Sequence, residues 1–169
     1  MPLVTLSLGS NIEPAINIRQ ALNALRSLYG DLKTSPVYES EAVGFSGANF
    51  LNLVVAMTVD ARLEDLASEL KKLERQQGRD HSAGSFAART LDVDILTYGE
   101  LRGEQAGMRL PRSEITRYAF VLQPLADLLP DALHPTLGRS YRELWEQFQR
   151  DEGDSQRLWP VPFDWNNAG

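Results

Sequence analysis

Cysteine is absent from the 169 residues, which excludes disulfides, Cys-ligated zinc and thiol nucleophiles. Histidine is scarce: only His81 and His134 occur, and the second stands in a Leu-His-Pro turn far along the chain. With no third soft ligand, a zinc centre is not expected. A basic surplus is missing as well. The net charge of −6 argues against a general binder of nucleic acid or anionic membrane, and a polyanionic substrate needs locally clustered Lys and Arg against that field. No apolar run approaches membrane-spanning length. The opening Met-Pro-Leu-Val-Thr-Leu lacks the basic start and long apolar run of a signal peptide. These absences leave a cytoplasmic globular protein. The chain is long enough for one domain with a single core, read as residues 1–150 with an irregular tail over 151–169.

What is present centres on Arg89-Thr90-Leu91-Asp92-Val93-Asp94-Ile95-Leu96. Its alternation predicts a strand with Leu91, Val93, Ile95 and Thr97 on one face and Asp92 and Asp94 together on the other. Two carboxylates side by side repel, so a cation should lie against them: a lysine or arginine, or a divalent metal. Oxygen-only ligands on a rigid strand suit Mg²⁺, which takes one or two carboxylates, waters and substrate phosphates. Arg79 and Arg89 lie just upstream, forks that match phosphate oxygens. Taken alone, Asp-x-Asp reads more readily as a solvated strand face with an ion pair; the flanking arginines favour a metal–nucleotide site.

In chain order, Leu3–Leu8 is apolar on nearly both faces, as a central strand is. It meets a turn at Gly9-Ser10-Asn11, where Asn11 is the expected helix cap. Ile16, Ile18, Leu22, Leu25 and Leu28 form a helical stripe ended by Gly30. A strand is predicted over Asp31–Ser40, disturbed at Pro36, followed by an aperiodic loop over Glu41–Ala48. The most strand-like run is Phe50–Val59. Asp60 is the expected cap of a second helix with Leu63, Leu66, Leu70 and Leu73 on its buried face. Arg79–Ala88 is a long polar loop ahead of the carboxylates, the usual place for a lid. A short strand or turn at Met108–Pro111, a helix over Phe120–Leu129 interrupted at Pro124, and a last helix over Tyr141–Phe148 complete the pattern. Strand, helix, strand, strand, helix, strand predicts a ferredoxin-like βαββαβ α/β sandwich with C-terminal additions.

The set Leu8-Gly9-Ser10-Asn11, Tyr38, Val43-Gly44, Phe50-Leu51-Asn52, Glu74-Arg75-Gln76-Gln77-Gly78-Arg79, the acidic strand and Phe120-Val121-Leu122-Gln123-Pro124-Leu125 resembles the 6-hydroxymethyl-7,8-dihydropterin pyrophosphokinase family. The resemblance runs from about Leu3 to about Phe148. It implies transfer of diphosphate from ATP to the hydroxymethyl group of the pterin in folate biosynthesis, on a monomer with no nucleic-acid or membrane partner. It also implies that Asp92 and Asp94 hold two Mg²⁺ ions and that Arg79 and Arg89 act with them in catalysis. Lys71, Glu74, Arg79, Arg89, Ile95 and Arg112 would bind ATP. Ser40, Val43, Phe50, Asn52 and Phe120 would bind the pterin, with the two phenylalanines sandwiching the ring. The chain departs from the family at Ser85 and Tyr118, where arginines are usual, at Phe86, where tryptophan is usual, and at His81, a basic loop position more often arginine. Arg112 stands where a histidine is typical, and Arg117 lies one position early. An alternative is therefore a weakened or repurposed paralogue that binds pterin or nucleotide.

Overall fold

Apolar alternation and helical stripes fold into α and β layers in the computed structural model, which describes residues 1–41, 48–77, 91–153 and 155–164. The elements are β1 (Leu3–Ser10), α1 (Pro14–Tyr29), β2 (Lys33–Thr34), β3 (Val37–Ser40), β4 (Phe50–Thr58), α2 (Leu63–Gln76) and β5 (Asp92–Tyr98). A hairpin of β6 (Gly103–Gln105) and β7 (Met108–Leu110) follows, then α3 (Glu114–Arg117), α4 (Ala119–Leu128), α5 (Tyr141–Glu152) and β8 (Leu158–Val161). The main sheet is antiparallel in the order β5-β1-β4-β3-β8, and β2 also pairs with β4. The predicted ferredoxin-like arrangement is present, with additions after β5.

Each sheet face buries its own apolar layer. Val4, Leu6, Leu8, Leu53, Val55, Val93 and Ile95 pack with α1 and α2 through Ile18, Leu22, Leu66 and Leu70. On the opposite face Val54 and Leu96 pack with Ile115, Leu122, Leu125, Leu144 and Phe148 of α3, α4 and α5. Period-2 alternation lets β4 feed both layers, through Leu53 and Val55 on one face and Val54 on the other, whereas β1 gives Val4, Leu6 and Leu8 to the first layer and has Thr5, Ser7 and Gly9 on its other face.

Local departures from the sequence expectations each have a physical reason. Asn11 does not cap α1. The helix starts at Pro14, whose fixed φ suits a first turn, after Glu13 in the left-handed region at φ 40°. Asn11 instead donates from Nδ2 to the Ala48 carbonyl at 3.4 Å. Asp60 gives way to Arg62 as the residue before α2, with Glu64 and Asp65 facing the helix dipole in the first turn. The strand expected over Asp31–Ser40 is split at Ser35-Pro36. Pro36 has no N–H to donate, and Ser35 bridges the gap: its N–H donates to the Val54 carbonyl, and its Oγ accepts from the Val54 N–H, both at 2.9 Å.

Thr97 does not share a face with Val93 and Ile95. The β1–β5 register shifts between Thr5 and Leu6, so that Leu6 faces Ile95 but Thr5 faces Thr97. The extra residue, Leu96, makes a bulge. It turns Thr97 to the opposite face, where its hydroxyl meets that of Thr5 at 2.6 Å. The tail, expected to be irregular from Asp151, carries the end of α5 and then β8, which pairs with β3. Pro160 is tolerated because β8 lies at the sheet edge. Beyond it, the guanidinium of Arg19 lies 5.6 Å from the Phe163 ring centre and donates to the Asp164 carbonyl.

His134 lies in the turn before α5, 6% exposed. Its Nδ1 accepts from the N–H groups of Thr136 and Leu137, at 3.2 and 3.1 Å. An accepting nitrogen carries no proton, and burial lowers the pKa from its ordinary 6.5. The unfolded chain takes up the proton at the ordinary value while the folded chain resists it. Stability from this group is therefore full above 6.5 and is lost as pH falls toward the folded value. The thermal midpoint should drop between about pH 7.5 and about pH 5.5. The drop should be smaller in His134→Asn, whose side-chain oxygen can accept the same N–H groups without titrating. Equal declines in the two proteins would place the acid sensitivity elsewhere.

Candidate active site

Among the described residues the carboxylate strand lies at an edge of the sheet and pairs with β1 alone. An edge strand leaves backbone groups needing partners, and here two side chains supply them. The Glu74 carboxylate accepts the Val93 N–H at 2.8 Å. Arg112 donates from Nε to the Ile95 carbonyl at 3.0 Å and from its own N–H to the Leu96 carbonyl at 2.9 Å. Its guanidinium also meets Glu114 at 3.4 Å. Glu74 and Arg112, expected at the nucleotide, thus also brace the backbone on either side of Asp94. That bracing could not be read from spacing, because the partners lie 19 and 17 residues away.

Asp92 and Asp94 are half-buried and alternate with buried Val93 and Ile95, as the period-2 reading expects. Together with Lys71, Glu74, Ile95 and Arg112 they line a cavity of about 380 Å³ between α2, β5 and the β6–β7 hairpin. All the described residues expected to bind metal or ATP meet there. Ala67, Leu70 and Met108, which the sequence does not mark as site residues, supply its apolar wall. Met108 is brought in by the hairpin, whose turn residues Ala106 and Gly107 both have positive φ, as a tight two-residue hairpin requires. Arg79, Arg89 and Val43 lie outside the described residues, as do Ser85 and Phe86.

The donors fit Mg²⁺. Among the described residues no group of three or more His, Cys, Asp or Glu side chains is placed to hold a metal ion. A hard cation that keeps waters and takes up phosphate oxygens needs only the carboxylate pair.

The expected pterin residues lie across the sheet from this pair, and strand register relates the two. Asp92 pairs with Gly9, Gly9 with Asn52, and Asn52 with Tyr38. Residues in one such row share a face, so Asp92 and Asn52 look the same way with a glycine between them. Asn52 is 4% exposed and donates from Nδ2 to Ser40 Oγ at 3.1 Å. A Cβ at Gly9 would stand 2.7 Å from Asn52 Oδ1. Gly9 thus keeps open the strip between the carboxylates and Asn52, a closer role than the strand-to-helix turn that the sequence suggests. Phe50 is half-buried at the start of β4, where it pairs with Ser40.

Phe120, in the first turn of α4, stacks on Tyr118, with ring centres 5.0 Å apart and planes at 20°. Arg117 lies over the other aromatic partner, its guanidinium carbon 5.5 Å from the Tyr118 ring centre. Phe120 and Ser40 line a second cavity of about 260 Å³, shared with Tyr118, Gln156 and Leu158. Inside α4, Pro124 removes the N–H that would otherwise reach the Phe120 carbonyl. Tyr38 locks α4 to β3 by donating its hydroxyl to Asp127. Burial first, and then that bond, hold the Tyr38 pKa well above the ordinary phenol value.

The family model for 7,8-dihydro-6-hydroxymethylpterin-pyrophosphokinase matches residues 5–130. The chain is 37% identical over 145 residues to the 2-amino-4-hydroxy-6-hydroxymethyldihydropteridine pyrophosphokinase of Pseudomonas aeruginosa, covering 83% of this chain and 88% of that one. It is 31% identical over 157 residues to the Synechocystis protein of the same name, covering 91% and 77%. Among solved structures, wild-type HPPK-DHPS of Plasmodium falciparum superposes with a TM-score of 0.68 at 14% identity. That match covers 90% of this chain and 42% of the other, so the chain spans less than half of that longer protein and the likeness concerns the fold. The matched length, the identity to whole pyrophosphokinases and the shared fold agree: this chain belongs to the 7,8-dihydro-6-hydroxymethylpterin-pyrophosphokinase family.

Proposed function

We propose that the protein is a cytoplasmic, monomeric enzyme that transfers diphosphate from ATP to the hydroxymethyl group of 6-hydroxymethyl-7,8-dihydropterin, with two Mg²⁺ ions. The observation that carries this reading is the row Asp92–Gly9–Asn52. It sets a metal-type carboxylate and a pterin-type amide on one face, two strand spacings or about 10 Å apart. A transferring diphosphate spans that gap, over the one residue in the row that has no side chain.

Asp92 and Asp94 would hold the metal, which when bound neutralises charge on the triphosphate. Lys71 and Arg112 line the same cavity and add fixed positive charge toward the phosphates, joined by Arg79 and Arg89. Ile95 with the cavity's apolar wall receives the adenine. Asn52 and Ser40, together with Val43, orient the pterin edge, and Phe50 and Phe120 hold its faces. In the transfer, the hydroxymethyl oxygen bonds to the β-phosphorus as the bond from that phosphorus to the AMP oxygen breaks. The hydroxyl proton leaves to solvent or to a phosphate oxygen, and AMP departs. Positioning and electrostatics supply most of the acceleration in such a step.

The test is the reaction itself. With ATP, Mg²⁺ and the hydroxymethyl dihydropterin, AMP should appear in a 1:1 ratio with pterin diphosphate. ATP and pterin binding without AMP release would favour the weakened or repurposed paralogue, which Ser85, Phe86 and Tyr118 motivate. Tyr118 bears on this choice directly, because its ring is spent on Phe120 and supplies no charge where the family usually has an arginine. No binding of either ligand would sink both readings.

A further inference from the structure

Helix α4 begins at Ala119 with no side chain of its own to cap it, since Tyr118 at the N-cap makes no capping bond. The first N–H groups of a helix need outside acceptors. Here the acceptor comes from the tail: Gln156 Oε1 takes the Ala119 N–H at 2.8 Å. The same amide donates from Nε2 to the Arg117 carbonyl at 2.9 Å. One side chain thus brackets Tyr118, holding the backbone on both of its sides, and Phe120 follows one residue after the bracket. Gln156 is itself held in place by strand pairing. Leu158, two residues on, pairs with Ser40 at the end of β3, and Ser40 accepts the Asn52 amide.

We infer that Gln156 is a positioning residue for the pterin side of the site, through which the C-terminal segment sets the angle of the Tyr118–Phe120 ring stack. The inference rests on the proposed function, in which Phe120 covers one face of the pterin. Gln156 touches no reacting atom; it acts through the two backbone groups that flank Tyr118. A ring on the first residues of a helix moves with any change in how the helix starts, and Tyr118 at the N-cap provides no side-chain cap of its own. The 260 Å³ cavity beside Phe120 gives the ring room to swing once the bracket is gone. Among the described residues the carboxylate cavity is lined by no tail residue, so ATP binding should not sense the change.

The test uses the full chain with Gln156→Met, which keeps the length and removes both bonds, and Gln156→Glu, which keeps the acceptor for Ala119 and loses the donor to Arg117. Pterin affinity is measured with 6-hydroxymethylpterin, with and without Mg²⁺ and a non-hydrolysable ATP analogue, and the analogue's own affinity is measured separately. Thermal midpoints are recorded beside both. Gln156→Met should weaken pterin binding about tenfold and Gln156→Glu about threefold, the scale of two and of one neutral hydrogen bond. Analogue affinity should stay within about twofold of the unaltered chain, well under one hydrogen bond. Pterin KM should rise without a matching rise in ATP KM. Unchanged pterin affinity in Gln156→Met overturns the inference while leaving the functional reading standing. Parallel losses for pterin and analogue, with a lowered thermal midpoint, also overturn it by reducing Gln156 to general stability. If the unaltered chain binds no pterin, the functional reading fails and the inference falls with it.

Discussion

Asp92→Asn and Asp94→Asn should each lower diphosphate transfer by on the order of a thousandfold, the scale reached when a group acting on transition-state charge is removed. Asparagine preserves the shape of the side chain and its place opposite Gly9 or Ser7, so the sheet should survive. What disappears is the charge of one of the two carboxylates expected to hold the dication. The measurement is AMP release against Mg²⁺ concentration, beside thermal midpoints with and without Mg²⁺ and an ATP analogue. Ligand that binds only the folded state raises the midpoint, so the unaltered chain should gain stability from the pair of additions and the variants should not. A variant that kept the parent's Mg²⁺ response would remove that carboxylate from the metal site.

The second large effect is expected at Gly9, a residue with no side chain to contribute. Its φ is not in the left-handed region, so the backbone permits alanine and only the added methyl matters. That methyl would stand 2.7 Å from Asn52 Oδ1, nearer than real contacts allow. The amide must turn away, giving up the bond to Ser40 in a site where Asn52 is 4% exposed. Disturbing a buried amide costs about 1–3 kcal/mol, or roughly 5- to 150-fold in Kd for a ligand that depends on it. Gly9→Ala should therefore weaken pterin binding by that order and leave ATP-analogue binding nearly intact. Asn52→Ala should weaken it similarly, and the double variant should be no worse than Asn52→Ala, because the clash has lost its target. Additive losses would show that Gly9 acts on the site by another route.

The Asp-x-Asp face was legible from the chain because a strand's period of two is local: residues two apart look the same way whatever surrounds them. The order of strands and helices was legible for the same reason, as was the buried face of α2, where Leu63, Leu66, Leu70 and Leu73 recur at helical spacing. Motif identity then carried the family. Several features depend on what lies across a strand or helix, and these were not legible. A bulge at Leu96 inverts Thr97, since register belongs to a pair of strands and not to either alone. The tail forms β8 despite Pro160 and weak periodicity, because the free edge of β3 offers it partners. Glu74 and Arg112 brace the carboxylate strand, and Gln156 caps a helix 37 residues before it. Hydrogen bonds over such separations leave no spacing rule in a sequence. By itself the sequence determined which chemistry the chain carries, through residue types at short fixed intervals. The distances between those groups, the glycine gap from Asp92 to Asn52 and the bonds of Gln156 to the backbone of Arg117 and Ala119 were decided only when the strands paired. Pairing sets contacts between residues that the chain keeps far apart.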